Sequence, residues 1–571
     1  MSIFILIILC TNPFETEDTR DLEAIVKDLE YLQLHQVDIS TADVEDLMKI
    51  PYLTITDCLK LISYREKHGP FDSIDDLFRI VGLDPLTIRC IKPYIVVKTK
   101  SFKIGKLTQR TRFKRTLSKM RSEEYYTRTQ AVFNDYHVFL VTEKDPYENS
   151  FFDYYAGGIL IDEGKRKFCL GKYDLDLGSG VILSSVGSIF QSADFRIMTN
   201  ERGIMSYTST LENRGFFGTA LTDSMLLNYT IFYSNQNLDG RVDTLGYAHS
   251  FDETGDHIDS VSNSHKDRIR EEIIGYDIKY QLPNIVVASR SYLCKYEPAF
   301  VCEDSLTQFY GSGFWMSGLS AKHYGNDFVL FAEIARAHRN RLGGLFGFGG
   351  IFPYNVGFNL AGKYFPTGFF SPKGVEANED YFGLTIDLNH NSKIASFGTN
   401  LNISNRTEED SSRYDLRLNF EKAIGIISSK LQARWRFAEN SLDMSGFKAF
   451  LRLSPVDLLY LDLRLEEKYA YVDTLQKGIF GSLELGVKFW KAEVKTRYGL
   501  FNTDSYSTRM IVYEPDLPGV ISNRILYDKG QYGIVFLSLK PVGYINLSVK
   551  YSAMDKDSLT QQISTQIDLK L

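Results

Sequence analysis

From Lys98 to Leu571 the chain repeats one pattern, runs in which apolar and polar side chains alternate. In "YLDLRLEE", Leu461, Leu463 and Leu465 alternate with Asp462, Arg464 and Glu466. "LQARWRF" (431–437), "YDLRLNF" (414–420) and "INLSVKY" (545–551) do the same. Successive residues of a β-strand face opposite ways, so each run presents one apolar and one polar face. The runs recur about every 10–15 residues, and many are roughly ten residues long, the length a tilted strand needs to cross a bilayer. Soluble sandwiches and propellers alternate too, but on strands nearer to about five or six residues. A sheet in lipid must leave no edge, so it must close. The expectation is a large antiparallel transmembrane β-barrel over residues 98–571, with about 20–24 strands. An even count brings both barrel ends to one side, the periplasmic side in bacterial outer membranes. Outer-membrane lipid is then one partner, and the segment before the barrel hangs in the periplasm.

That segment reads differently. "MSIFILIILCTNPFETED" carries an apolar run from Ile3 to Leu9, too short to span and suited to a signal peptide over residues 1–12, with cleavage after Cys10. Residues 21–35 place Leu22, Ile25, Val26, Leu29 and Leu32 at helical spacing, which predicts a leading helix. Two helix pairs follow. A cap within Ser40–Asp43 opens "VEDLMKI", Pro51 ends it, and "TDCLKLISYREKHG" closes at Gly69. Asp72 or Ser73 then caps "DSIDDLFRI", which breaks at "VGLD" before "PLTIRCIKPYI", with Pro85 in its first turn. The unit is an internal repeat.

Residues 36–97 resemble the tandem helix-hairpin-helix domain of the ComEA competence family. The resemblance rests on Asp38, Ala42 and Leu47, then Tyr64, Arg65, Gly69, Phe71 and Leu77, then Lys92 and Tyr94. The glycine-dense stretches "GKYDLDLGSGVILSS" (171–185) and "RGIMSYTSTLENRGFFGTA" (202–220) look similar to segments of large bacterial barrels that carry such a domain. Together they imply a ComEA-type domain fused to an outer-membrane barrel, with double-stranded DNA as ligand and DNA uptake as role. In such hairpins, turn glycines and helix N-terminal amides receive phosphate. The matching positions here are Tyr52 and Thr54, then Gly82 and Asp84, so three of the four glycines are absent, and Thr54, Gly82 and Leu83 remain as candidate backbone contacts.

Charge qualifies that role. The chain's net charge is −7, and residues 36–97 hold seven basic residues against ten acidic ones, a poor balance for counterion-driven binding. Residues 98–121 hold ten Lys or Arg and no acid. Lys98, Lys100, Lys103, Lys106, Arg110, Arg112, Lys114 and Arg115 are therefore the candidate phosphate contacts, with Arg110, Arg112 and Lys114 at strand period and expected to face the lumen. The alternative is an ordinary polar lumen balanced by acids across the barrel, in a pore or assembly anchor for another substrate, whose helical domain contacts a periplasmic protein or acts as a plug.

Other features point to no catalytic chemistry. No GxSxG, Walker loop or HExxH is present, and no enzyme and no cofactor are expected. The six cysteines show no metal spacing; Cys294 and Cys302 are near enough in sequence to close a loop disulfide, or both stay free. "HSFDETGDHIDSVSNSHKD" (249–267) gathers Asp, Glu and His without calcium-loop spacing and reads as a solvated loop. Arg202, Glu212 and Arg214 are expected either as a charge cluster narrowing the pore or as part of a plain strand with one ion pair.

Overall fold

A computed structural model describes residues 26 and 29–571 apart from 52, 54, 82, 84, 98–104, 120–121, 147, 149–153, 185–200, 225–227, 253–256, 258–259, 283, 302–308, 326, 354–355, 367, 375–380, 392–394, 407–411, 439–440, 457 and 473. Residues 29–34 are helical, within the expected leading helix. The helical repeat follows as expected. Asp43 caps Val44–Met48, its carboxylate accepting from the Asp46 amide, and Ile55–His68 ends at Gly69 with φ +87°. Ser73, not Asp72, caps the second hairpin in a capping box with Asp76, and its first helix, Ile74–Arg79, is wound as a 3-10 helix. Pro85–Ile91 closes the repeat.

Short parallel strands, Val37–Asp38 and Ile95–Val96, bring the two ends of this domain together. Leu47, Cys58, Leu61, Leu77, Ile88 and Ile91 form its core, each nearly or fully buried. The Arg65 guanidinium donates to the carbonyls of Ile39 (3.1 Å) and Ala42 (2.9 Å), tying the long helix to the domain's first turn. Tyr64 stacks between His68 and Phe71. The residues that carry the family resemblance are thus largely those that hold the fold.

The remainder is a closed antiparallel barrel. Among the described residues, 24 strands form the ring, from Lys106–Thr116 to Leu559–Lys570, and closure pairs Arg110 with Asp568 and Thr111 with Ile567. The alternation seen in the sequence is the inside and outside of this wall. On Leu459–Val472, Leu463 and Leu465 are exposed while Arg464 and Glu466 are buried. On Ile545–Asp555, Val549 faces out while Ser548 and Lys550 are buried. An apolar exterior around a polar interior is the inverse of a soluble protein and fits lipid outside the wall. Among the described residues, no helix is long and apolar enough to cross a membrane.

The two rims differ. At one, where both barrel ends lie, connections are as short as 134–135, 163–165, 425–426 and 490–491. At the other, long connections run through 177–215, 239–268 and 504–528. Part of the last forms a hairpin, Met510–Glu514 with Ser522–Leu526, that belongs to no ring pairing and folds inward. It alternates like its neighbours, so sequence pattern alone does not separate it from the wall.

Candidate functional site

The lumen is filled from both rims. At the short-turn rim the leading helix lies against the inner wall. Its Glu30 carboxylate accepts from Arg128 Nη2 at 2.6 Å and Arg110 Nη2 at 3.1 Å, while Arg110 Nε donates to Asp568 at 2.6 Å across the barrel closure. Burial alone would raise the Glu30 pKa; Arg110 and Arg128 beside it overcome that and hold it well below the usual carboxylate range. One turn on, Tyr31 stacks on His35, whose Nε2 is 3.2 Å from Nδ1 of wall residue His137. Burial and His137 lower the His35 pKa to about 3, so its ring is neutral.

From the long-loop rim the inner hairpin descends to the same place. Residues 517–519 at its tip meet the leading helix: a Cβ on Gly519 would strike Arg110 and crowd Glu30. Arg464 donates to the Ile511 carbonyl (3.2 Å), Gln566 to that of Pro518 (2.9 Å), and Lys550 to Glu514 (3.2 Å) and Asp516 (2.5 Å). Between helix, hairpin and wall lies a cavity of about 840 Å³. Among the described residues, nine cations, including Lys430, Arg452, Lys495 and Lys570, line it against six acids, including Asp462 and Glu484.

In the opposite part of the lumen, residues 177–184 and 201–215 lie inside the wall. Gly178 (φ +80°) lies against the Arg290 guanidinium, and the Ser179 amide donates to Glu333 at 2.6 Å. Arg290, fully buried, pairs with Glu333 (2.8 Å) and Asp277 (3.0 Å). Glu201 reaches deeper still, to Lys322 (2.7 Å) and Lys279. A left-handed glycine is required at 178 by both its backbone and its neighbour. The glycine-dense stretch "GKYDLDLGSG" therefore marks close approach to a buried cation.

At the long-loop rim a second polar group forms. His257 Nδ1 is 2.9 Å from Glu148, whose carboxylate also meets Lys266 at 3.3 Å, and Glu212 stands beside them. Burial, with Asp239 nearby, pushes the Glu212 carboxyl up to about 8. Of the two readings of Arg202, Glu212 and Arg214, the pore-narrowing cluster is not seen among the described residues: Arg202 pairs with Asp176 at 2.6 Å, and Glu212 lies beside Glu148 and His257. The reading of 249–267 as solvated fails for His257, which is 1% exposed, with Asp145 and Glu148 of one other connection and Glu212 of a second beside it.

The candidate contacts read from the sequence scatter. Thr54, Gly82, Lys98, Lys100 and Lys103 lie outside the described residues. Leu83 is buried in the helical domain. Lys106 is exposed where the first wall strand begins. Arg110, Arg112 and Lys114 face inward, as their period implies, but Arg110 is held by Asp568 and Glu30, Arg112 donates to Gln566 and covers Tyr126, and Lys114 pairs with Glu124. Arg115 lies on the outer face and pairs with Glu123 at 3.4 Å. The inward cations are thus absorbed by wall and plug. Cys294 is free and buried, and Cys302 lies outside the described residues, as does the segment read as a signal peptide. Glu30, His35 and the inner hairpin were not picked out, because their partners are distant in sequence and no local spacing marks them.

A family model described as a helix-hairpin-helix motif matches residues 33–96. No curated protein matches the chain. Solved structures similar to it include a mutant ferric enterobactin receptor, PfeA, of Pseudomonas aeruginosa, at 6% identity over 84% of this chain and 82% of that one, with TM-score 0.41. The FrpB iron transporter of Neisseria meningitidis matches at 10% identity over 88% and 83%, with TM-score 0.37. OccK5 (OpdH) of Pseudomonas aeruginosa matches at 9% identity over 82% and 97%, with TM-score 0.30. None of these likenesses bears on what the chain binds. Wall, rims and motif together describe an outer-membrane-type β-barrel of 24 strands with an N-terminal helix-hairpin-helix domain.

Proposed function

We propose that this protein is an outer-membrane channel kept shut by its own chain and opened when its periplasmic helical domain engages a protein partner. The observation that carries this reading is the Glu30 clamp. A half-buried carboxylate on the segment leading into the helical domain is clamped between Arg110 and Arg128 of the wall, so displacing the domain must either break that contact or withdraw the plug. The helical domain also leaves Phe78 and Val81 exposed beside its second turn, surface that suits protein contact.

A second reading, passage of an anionic cargo and in particular DNA uptake in the manner of ComEA-type proteins, is favoured by the excess of cations lining the cavity. Against it stand the internal pairing of Arg110 and Lys114 and the missing turn glycines.

Planar-bilayer recordings of the full chain test the first reading. Wild type should show rare, small openings, and Glu30→Lys, which sets like charge against Arg110 and Arg128, should open several times more often. Steady wide conductance in wild type, or unchanged gating in a variant that keeps its heat-modifiable gel mobility, would refute it. Titrating the same preparations with a fluorescent duplex at two salt concentrations tests the second: binding that weakens steeply with salt supports a DNA role, and no binding removes it.

A further inference from the structure

Connections that leave the long-loop rim at separate points of the wall converge on one buried imidazole. Glu148 follows the strand Tyr136–Lys144, Glu212 precedes Phe216–Asp223, and His257 lies between Ala248–Phe251 and Ile269–Gln281. One ligand atom from each of these three side chains falls within 4.8 Å of the other two. His257 Nδ1 is 2.9 Å from Glu148 Oε1, and the His257 amide donates to Asp145 Oδ2 at 2.9 Å. On the far side of the ring Nε2 stands 3.6 Å from Asp239 Oδ2. Both of those atoms are buried and have no hydrogen-bond partner among the described residues, although Asp239 Oδ1 is satisfied by the Asp267 amide at 2.8 Å.

Two orphaned polar atoms 3.6 Å apart, one of them on a buried imidazole, need a reason, since such groups are normally paired. An ion on the other ring nitrogen supplies one. The geometry points to a divalent transition-metal site in which His257 Nδ1 and a carboxylate oxygen each from Glu148 and Glu212 ligate an ion of the Zn²⁺ class. With a metal on Nδ1 the proton sits on Nε2 and is donated to Asp239, the carboxylate–histidine–metal arrangement that fixes tautomer and ring orientation. One imidazole nitrogen with two carboxylates matches the ligand preference of Zn²⁺ and its first-row neighbours, whereas Ca²⁺ takes oxygen ligands only. Lys266 Nζ, 3.3 Å from Glu148, supplies positive charge that a bound ion takes over. The ion joins three connections and so staples the long-loop rim, independently of how the helical domain moves at the other.

The test uses the full chain in detergent, stripped with EDTA, dialysed against ZnCl₂ and analysed for bound metal. Wild type should retain about one Zn²⁺ per chain more than His257→Gln or Glu212→Gln, while His249→Gln, altered at a rim histidine outside the cluster, should match wild type. Asp239→Asn, which keeps the ligands and changes only the group behind the ring, should weaken binding by about tenfold or more. Co²⁺ should give a visible d–d spectrum in wild type that His257→Gln lacks. Equal metal content in wild type and both ligand variants, or displacement of Zn²⁺ by equimolar CaCl₂, would overturn the site and leave His257 and Glu148 as a buried ion pair. Heat-modifiable mobility checks that each variant is folded, and Asp239→Asn decides the matter if a ligand variant is not.

Discussion

At the scale of single residues, lumen polarity is not the same as an open lumen. The inward positions were legible in the sequence, since period two assigns Arg464, Lys550 and Arg110 to one face, and the structure puts them there. Their partners were not, because they come from elsewhere in the chain: Arg110 and Glu30 are 80 residues apart, and Arg290 and Glu333 are 43 apart. The energetic consequence is plainest at Arg290. It is fully buried between Asp277 and Glu333, with Glu201 at 4.0 Å. Removing one partner of such a group leaves uncompensated charge, while removing all of it is far milder. Arg290→Met should destabilise the barrel by about 3–5 kcal/mol, read as a lower midpoint for loss of heat-modifiable mobility, and Arg290→Met with Asp277→Asn and Glu333→Gln should recover most of that loss. If the single variant melts like wild type, the buried network contributes nothing to holding the segment 177–184 in place.

At the scale of elements, the helical repeat was read nearly to the residue from caps and breakers, because those signals act locally: Asp43 caps, Gly69 ends a helix, Pro85 begins one. The leading helix was read as a helix, but its place inside the barrel rests on contacts no local pattern encodes, such as His35 with His137, 102 residues apart. That docking has a pH signature. Burial, then the His137 ring, lowers His35 from 6.5 to about 3, with Lys167 and Lys106 adding to the effect and Asp162 opposing it. The undocked helix therefore binds a proton between those two values that the docked helix does not, so docking weakens as pH falls through that window. Glu30 acts in the same direction: its docked pKa lies below its free value near 4.5, so its contribution is complete above that value and fades on acidification. Protection of the amides at 29–35, their exchange rate divided into the intrinsic rate at each pH, should fall from pH 7 to pH 4, while protection in the core of the helical domain, around Leu47 and Ile91, stays high. His35→Phe should flatten the upper part of the response. Protection at 29–35 that is unchanged over this range would mean the helix is held by its apolar contacts alone.

At the scale of the whole molecule, the long-loop rim and the short-turn rim each send a segment into the same lumen, and the two meet. Val26 of the leading segment lies with Ile521 of the inner hairpin, and Gly519 stands beside both Glu30 and Arg110. Plugs that meet in this way act as obstructions in series, since solute passing one must still pass the other. Removing the hairpin alone should then change conductance little, loosening the leading helix alone should give only brief, small openings, and removing both should give large, sustained current. The pair of full-barrel variants that tests this replaces 510–526 with a short Gly-Ser link, alone and combined with Glu30→Lys. The hairpin deletion leaves Lys550, Arg464 and Arg497 without the partners it supplied, so heat-modifiable mobility must first show a closed barrel. In planar bilayers the expected result is near wild-type current for the hairpin deletion, intermittent openings for Glu30→Lys, and sustained, several-fold larger current for the combination. Large steady current from the hairpin deletion alone would place the whole barrier in the hairpin, and the helical domain would then be a docking module with no hand in closure.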